Sequence, residues 1–140
     1  MPTWILDALL SAFFAGVTAV IAKKGLAGIP ADLGMVVRTL FVALVALAFA
    51  FFMVPAKSLK DLNGFNTLWL ALSAGTTFLS WIFYYRALKL GQVSTVALID
   101  KGSLVVSILL AALILRESLT LRTGFGGILI LAGIYVLARK

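Results

Sequence analysis

Four ionisable side chains lie inside otherwise apolar stretches of this 140-residue chain: Asp7, Arg38, Asp100 and Lys101. An ionisable group within a membrane-spanning helix is costly, and it usually faces a bundle interior or a wet cavity that serves an ion, a proton or a solute. Asp100 is the carboxylate best able to take a proton or a cationic solute. Arg38 and Lys101 could tune its pKa by their charge, hold a gate by ion pairing, or contact an anionic solute, so the sign of the solute stays open. Arg38 stands five residues into its apolar stretch and Asp100 seven into another that starts from the same side, which gives depths of about 8 and 10 Å by helical rise. The two could therefore meet across a helix–helix interface, within one chain or between two. Lys101 is turned about 100° from Asp100 around a helix, so the neighbours do not simply neutralise each other. A functional site and an essential structural ion pair are both compatible with this pattern.

Ser103 and Ser107 follow Asp100 at i+3 and i+7 and extend one polar stripe. Asp7, Ser11 and Thr18 make a similar stripe on the first segment. Two such stripes could line a cavity. The plainer account has Ser and Thr bonding to their own helix backbone and Asp7 complementing the positive end of its helix, and for Asp7 this account is preferred. Trp81 and Tyr85 share a face of the third segment, where they could wall a cavity for apolar or cationic ligands. Tyr84 and Tyr85 sit beside Arg86 at the helix end and are assigned to an interfacial aromatic belt, whereas Trp81 lies deeper and stays open between wall and belt. Thr123, Gly124, Gly126, Gly127 and Gly133 give the last segment a small-residue packing face, within the bundle or at a dimer contact.

The elements that must position these residues are five apolar stretches, 3–22, 33–54, 67–85, 93–115 and 123–138. Crossing ~30 Å of hydrocarbon takes roughly 20 mostly apolar residues. Hydrophobic residues make up 63% of the chain and its mean hydropathy is +1.15. A soluble protein of 14.9 kDa could not bury five such segments. The predicted fold is an all-α integral membrane bundle of five transmembrane helices, at about 3–22, 33–54, 67–88, 93–115 and 120–138, forming one domain over 1–140. Met1 to Leu6 carry no Lys or Arg and the first segment is long, so a cleaved secretory signal is not expected. Lys23, Lys24 and Gly25 end the first helix, and Gly28 and Pro30 bar its continuation. Asp32, Asn66, Ser94 and either Ser118 or Thr120 are the expected caps of the later helices, Pro55 closes the second and Gly91 the third.

With no Cys and no His there is neither thiolate chemistry nor the commonest metal ligand and proton switch. No paired carboxylate or metal-ligand cluster appears either, so an intramembrane enzyme is the weakest functional class and no cofactor is expected. Glu117 lies near a membrane face, where it complements a helix dipole. The net charge of +7 sits in short loops, where it anchors helices and meets anionic lipid headgroups, and it does not call for nucleic acid. Five crossings leave the chain ends on opposite sides. Lys57, Lys60, Arg116 and Arg122 fall on the N-terminal side, and Lys23, Lys24, Arg86, Lys89, Arg139 and Lys140 on the other. So weak a bias admits two arrangements, a single N-out and C-in orientation or dual topology with pairing to an inverted copy. So small a bundle rarely encloses a pathway alone, so a partner is expected.

The third helix ends in Tyr84-Tyr85-Arg86-Ala87-Leu88, followed by Gly91 and Ser94. A long fourth helix leads to Glu117, Leu119 and Thr120, and a Gly-bearing fifth follows. The stretch ALIDKGS holds Asp100 and Lys101, and the first half carries AKKGL with Lys24 and Gly25, then Asp32 and Arg38-Thr39. In order and spacing the chain resembles an EamA-type unit of the drug/metabolite transporter superfamily, nearest its single-unit, five-helix subgroup. The resemblance implies one half of a ten-helix plan, in which two units of opposite orientation move amino acids, metabolites or drugs by alternating access. With one unit, an antiparallel homodimer would restore that plan, as inverted repeats around a midplane site do generally. The small multidrug resistance family, with four helices per chain, is similar in size and known for such pairing, and this favours dual topology. The implied protein is a half-size transporter of the plasma (inner) membrane, with its cavity between the first four helices of each copy and the fifth at the periphery. The alternative is a non-transporting subunit, or a component of a lipid-linked substrate flippase, acting with a partner protein.

Overall fold

The computed structural model describes residues 3–138. Met1 and the basic residues Arg139 and Lys140, used above for the N-terminal reading and the charge count, lie outside the described residues. The helices are α1 (Thr3–Gly25), α2 (Ala31–Met53), α3 (Gly64–Leu90), α4 (Val93–Asp100), α5 (Ser103–Ile114) and α6 (Leu121–Ala138), with a 3₁₀ turn at Ala56–Asp61. No strand occurs among the described residues. Four stretches are long and apolar enough to cross a membrane: α1, α2, α3 and the run Val93–Ile114 that joins α4 to α5. The fifth, α6, has 18 residues, about 27 Å by helical rise, slightly under the hydrocarbon thickness. The chain is an all-α, multi-pass membrane protein.

Side-chain exposure matches that solvent. Phe41, Leu47, Phe51 and Leu113 are all more than 60% exposed, which would be unstable against water and is ordinary against lipid tails. The helices fall into two compact units. Residues 22–90 hold the end of α1 with α2 and α3, and the other unit holds the chain up to Ile21 and from Gly91 onward.

In the 22–90 unit, α2 and α3 pack antiparallel, and one end is dry. Leu26, Met35, Tyr85 and Leu88 are all at most 3% exposed, and Ala31 is buried with them. The turn from α1 into α2 needs Gly28 at φ 75°, a conformation that glycine adopts without strain. Pro30, extended at φ −61° and ψ 146°, occupies the cap position of α2. Asp32 therefore sits within the first helical turn and makes no cap hydrogen bond; its carboxylate is taken up elsewhere. At α3 the cap is Asn63, whose Oδ1 accepts from the Asn66 N–H at 2.9 Å, so the helix starts earlier than a cap at Asn66 implies. Gln92 rather than Ser94 precedes α4, and Thr120 Oγ1 accepts from the Thr123 N–H at 3.2 Å at the start of α6.

In the other unit, the long fourth helix expected from the sequence is interrupted at Lys101-Gly102. The backbone tightens there to i→i−3 bonding. Lys101 N–H donates to Leu98 O at 3.2 Å, Gly102 N–H to Ile99 O at 2.9 Å, and Leu104 N–H to Lys101 O at 3.0 Å. Such a 3₁₀ stretch keeps backbone groups bonded inside a membrane while breaking the α repeat. Glycine has the weakest helix preference after proline. Here it also makes room, because a Cβ at 102 would lie 3.2 Å from Ile134 Cδ1 of α6 and 3.1 Å from Ile99 O. Gly127 is buried on α6, 3.8 Å from Ile108 by the same measure, so part of the small-residue face packs within the unit.

Candidate functional site

The dry end of the 22–90 unit is organised by helix ends. The C-termini of α1 and α3 and the N-terminus of α2 come together there. A helix C-terminus leaves carbonyls unbonded and carries partial negative charge, so two of them side by side demand cations. Lys23, in the last turn of α1, donates its Nζ to the carbonyls of Leu88 at 2.6 Å and Lys89 at 3.0 Å on α3. Lys89 in turn donates to the carbonyl of Leu26 at 2.7 Å, just beyond α1. Each helix thus lends the other a capping lysine. At the opposite dipole end, Asp32 in the first turn of α2 receives a two-point bond from Arg86, Nε to Oδ1 at 2.8 Å and Nη2 to Oδ2 at 3.0 Å. Both side chains are more than half exposed, so the pair fixes geometry more than it adds stability. Sequence reasoning took these cations as topology charges and missed their partners. A carboxylate one turn into a helix, with lysines in the last turns of two others, was the signal for it.

Deeper in the same unit lies Arg38. Its guanidinium carbon stands 4.4 Å from the Trp81 ring centroid and 5.9 Å from that of Tyr85. Aromatic faces attract a cation, most strongly where water is scarce. Yet Arg38 Nη1 and the Tyr85 hydroxyl are buried with no hydrogen-bond partner among the described residues. Tyr85 is therefore not part of an exposed interfacial belt. It is covered at 3% exposure, one turn before Leu88 on the same buried face of α3. Trp81, left open by the sequence, is half-buried beneath Arg38. Below it a groove of about 500 Å³ runs between α2 and α3, bordered by Trp81, Phe78, Ala74, Leu70, Val42 and Thr39.

The other predicted residues fall in the second unit. Asp100 is half-buried at the last position of α4, and Lys101 is exposed in the interruption that follows. Lys101 borders an apolar groove of about 500 Å³ with Leu98 and Leu104 and with Ile130, Gly133 and Ile134 of α6. Ser103 begins α5 and is exposed, and the Ser107 hydroxyl donates to the Ser103 carbonyl at 3.0 Å. That is the plain backbone role considered for the stripe. Asp7, Ser11 and Thr18 are exposed on α1. The structure therefore brings Arg38 to Trp81 and Tyr85, and keeps Asp100, Lys101 and Ser103 together at the interruption. No set of three or more metal-ligating side chains gathers among the described residues.

Comparison with known proteins adds to this geometry. A family model described as the EamA-like transporter family matches residues 2–139. A Sinorhizobium protein, described as an uncharacterized transporter in the cobO 3′ region, is 40% identical over 136 residues, covering 97% of this chain and 96% of the relative. No solved structure matches the chain.

Proposed function

The chain belongs to the EamA-like transporter family, and from that premise we propose that it is a small-molecule transporter working by alternating access as an antiparallel homodimer in the plasma (inner) membrane. The observation that carries the reading is the extent of the match. One family unit accounts for residues 2–139, and the Sinorhizobium relative, itself called a transporter, is matched over 96% of its length. Alternating access needs two bodies that rock around a shared site, and inverted units are the general way to build them. One copy of this unit supplies one body, and an inverted copy supplies the other. The small charge difference between the two loop sets lets the chain insert both ways.

The cargo is a metabolite, amino acid or drug that passes unchanged, so the site needs binding groups and no reacting ones. Asp100, at the helix interruption, carries a proton or a cationic group. In the same unit Lys101, Ser103, Ser107, Ser11 and Asp7 are the further groups offered to cargo, and in the 22–90 unit Arg38 and Trp81 are. Cargo shifts the population of inward and outward forms only as far as it binds them unequally.

Paired reporters fused after Lys140, one active only in the cytoplasm and one only outside, test the arrangement. Signal from both supports the antiparallel pair. Signal from one side alone sinks it and favours a subunit that pairs with an oppositely oriented partner protein. Flux in liposomes tests the site. Asp100→Asn and Arg38→Gln should each lower it at least tenfold, and if both leave flux and dimer stability unchanged the roles given to these charges are wrong.

A further inference from the structure

We propose that the α2/α3 groove with Arg38 at its head binds a single-chain anionic amphiphile drawn from the bilayer, the head a phosphate or carboxylate and the tail a hydrocarbon chain. This deepens the transporter reading by naming a class of cargo, and it rests on that reading for movement but not for binding.

Three observations converge within the 22–90 unit. First, within the described 22–90 unit no carboxylate pairs with Arg38; its guanidinium lies over the rings of Trp81 and Tyr85. The charge of Asp32, the acidic residue at the start of the same helix, is already taken by Arg86 through two hydrogen bonds. A guanidinium about 8 Å into an apolar segment, with no counter-charge among the described residues of its own unit, suits an anion. Second, two donors in this place are buried and unbonded, Arg38 Nη1 and the Tyr85 hydroxyl. A buried unsatisfied donor costs about 1–3 kcal/mol, more when charged, and acceptor oxygens brought by a ligand relieve it. A phosphate or carboxylate has enough oxygens to serve both once Arg38 rotates off the Trp81 ring, and arginine suits such heads by its planar fork of donors.

Third, Trp81 belongs to both features. One side of the residue meets Arg38, and the same residue borders the apolar groove of about 500 Å³. That volume lies in the range of small-molecule pockets. The groove borders Val42, Leu70 and Phe78, all of them at least 40% exposed, so a chain can enter it sideways from lipid. The hydroxyls of Thr39 and Thr77 on its border donate to their own helix carbonyls, at 2.8 Å to Met35 O and 2.8 Å to Ser73 O, which leaves the wall apolar in character. Ser73 adds one further hydroxyl to that border, so a polar solute would gain little from such a wall, and a neutral lipid nothing from Arg38. Only a molecule with both parts uses the whole site.

The test uses the full chain in phosphatidylcholine nanodiscs, with Trp4→Phe and Trp69→Phe so that Trp81 alone reports. Dodecyl phosphate should change Trp81 emission saturably beyond its effect on empty discs, while dodecyl maltoside and inorganic phosphate should not. Arg38→Gln should weaken binding at least tenfold, Arg38→Lys by less, and Tyr85→Phe about threefold. Ala74→Trp fills the groove without touching Arg38 and should also weaken it about tenfold in a protein that remains monodisperse. Equal binding by wild type and Arg38→Gln, or by dodecyl maltoside and dodecyl phosphate, overturns the proposal. So does binding of inorganic phosphate as tight as that of dodecyl phosphate. Absence of saturable binding, with Ala74→Cys chains cross-linking to one another, overturns it in favour of a second copy in the groove. Flux of a polar solute without amphiphile binding removes this inference and keeps the transporter reading. Binding without flux of any solute keeps the site and removes the transporter reading.

Discussion

The two units of this protein place their polar groups by opposite means. In residues 22–90, Arg38 apart, four charges gather at helix ends and are bonded to each other or to open carbonyls: Asp32 to Arg86, Lys23 and Lys89 to the ends of α3 and α1. Around them is the only sizeable dry cluster among the described residues, with Leu26 and Leu88 at its centre. In the other unit Asp100 and Lys101 sit in mid-span, at a break in the helix, and close packing falls to glycines, Gly102 under Ile134 and Gly127 under Ile108. The first arrangement locks three helix ends by directional bonds. The second relies on small residues and contact distance, and the 3₁₀ stretch offers a place to bend. Alternating access, as proposed for this chain, calls for both kinds of part, a fixed frame and a segment able to change.

Mutations can break or sharpen that contrast, and the largest effect is expected in the frame. Leu88→Ala removes a side chain with no exposed surface and should destabilise by about 2–5 kcal/mol. It should appear as a marked fall in the unfolding temperature in detergent, whereas Leu110→Ala, half-exposed on α5, should move it little. Next comes Gly34→Ala. Its new Cβ would run into the Leu26 side chain, which is buried and has little room to yield, so a loss of about 1–3 kcal/mol follows. Gly16→Ala meets nothing within 4 Å and should be neutral or gain a little helix stability, and an equal loss at both sites would mean that room around the glycine does not set the cost.

Smaller again is Lys89→Met, which leaves the Leu26 carbonyl with the longer bond from the Ile29 N–H at 3.4 Å and should lower stability by about 1 kcal/mol, partly restored by Lys89→Arg. The smallest stability change belongs to Gly102→Ala. Better helix preference, worth about 1 kcal/mol, is opposed by the tight approach to Ile99 O and Ile134, so the net should stay under about 1 kcal/mol. The informative readout there is amide exchange at residues 101–105, which should slow as the interruption regularises. Unchanged exchange would mean that glycine is not what opens the helix.

Much of this was legible in the chain. The apolar runs, the proline and glycine breaks around Gly28, Pro30 and Pro55, and the isolated charges Arg38, Asp100 and Lys101 all stand out by local hydropathy and backbone chemistry. Trp81 was singled out by its helical spacing to Tyr85. Other features were misread for reasons that can be named. Tyr85 looked interfacial because Arg86 follows it, but burial depends on what the next helix brings alongside. Asp32 looked like a cap because it follows Pro30, but Pro30 takes the cap position and Arg86 takes the carboxylate. Gly102 stood inside a continuous apolar run, and hydropathy does not sense a change from i−4 to i−3 bonding.

The sequence by itself determined that the chain is a bundle of membrane-crossing helices, and which few ionisable groups those helices carry into the apolar layer. The reason is that a spanning helix satisfies its own backbone and meets lipid with its side chains, so each span is a property of contiguous residues. Only the tertiary structure decided the pairings. Asp32 and Arg86 are 54 residues apart, and Lys23 and Leu88 are 65 apart. Such contacts exist because particular helix ends come together and their open carbonyls and dipoles need charges of the right sign. No local pattern states which ends those will be.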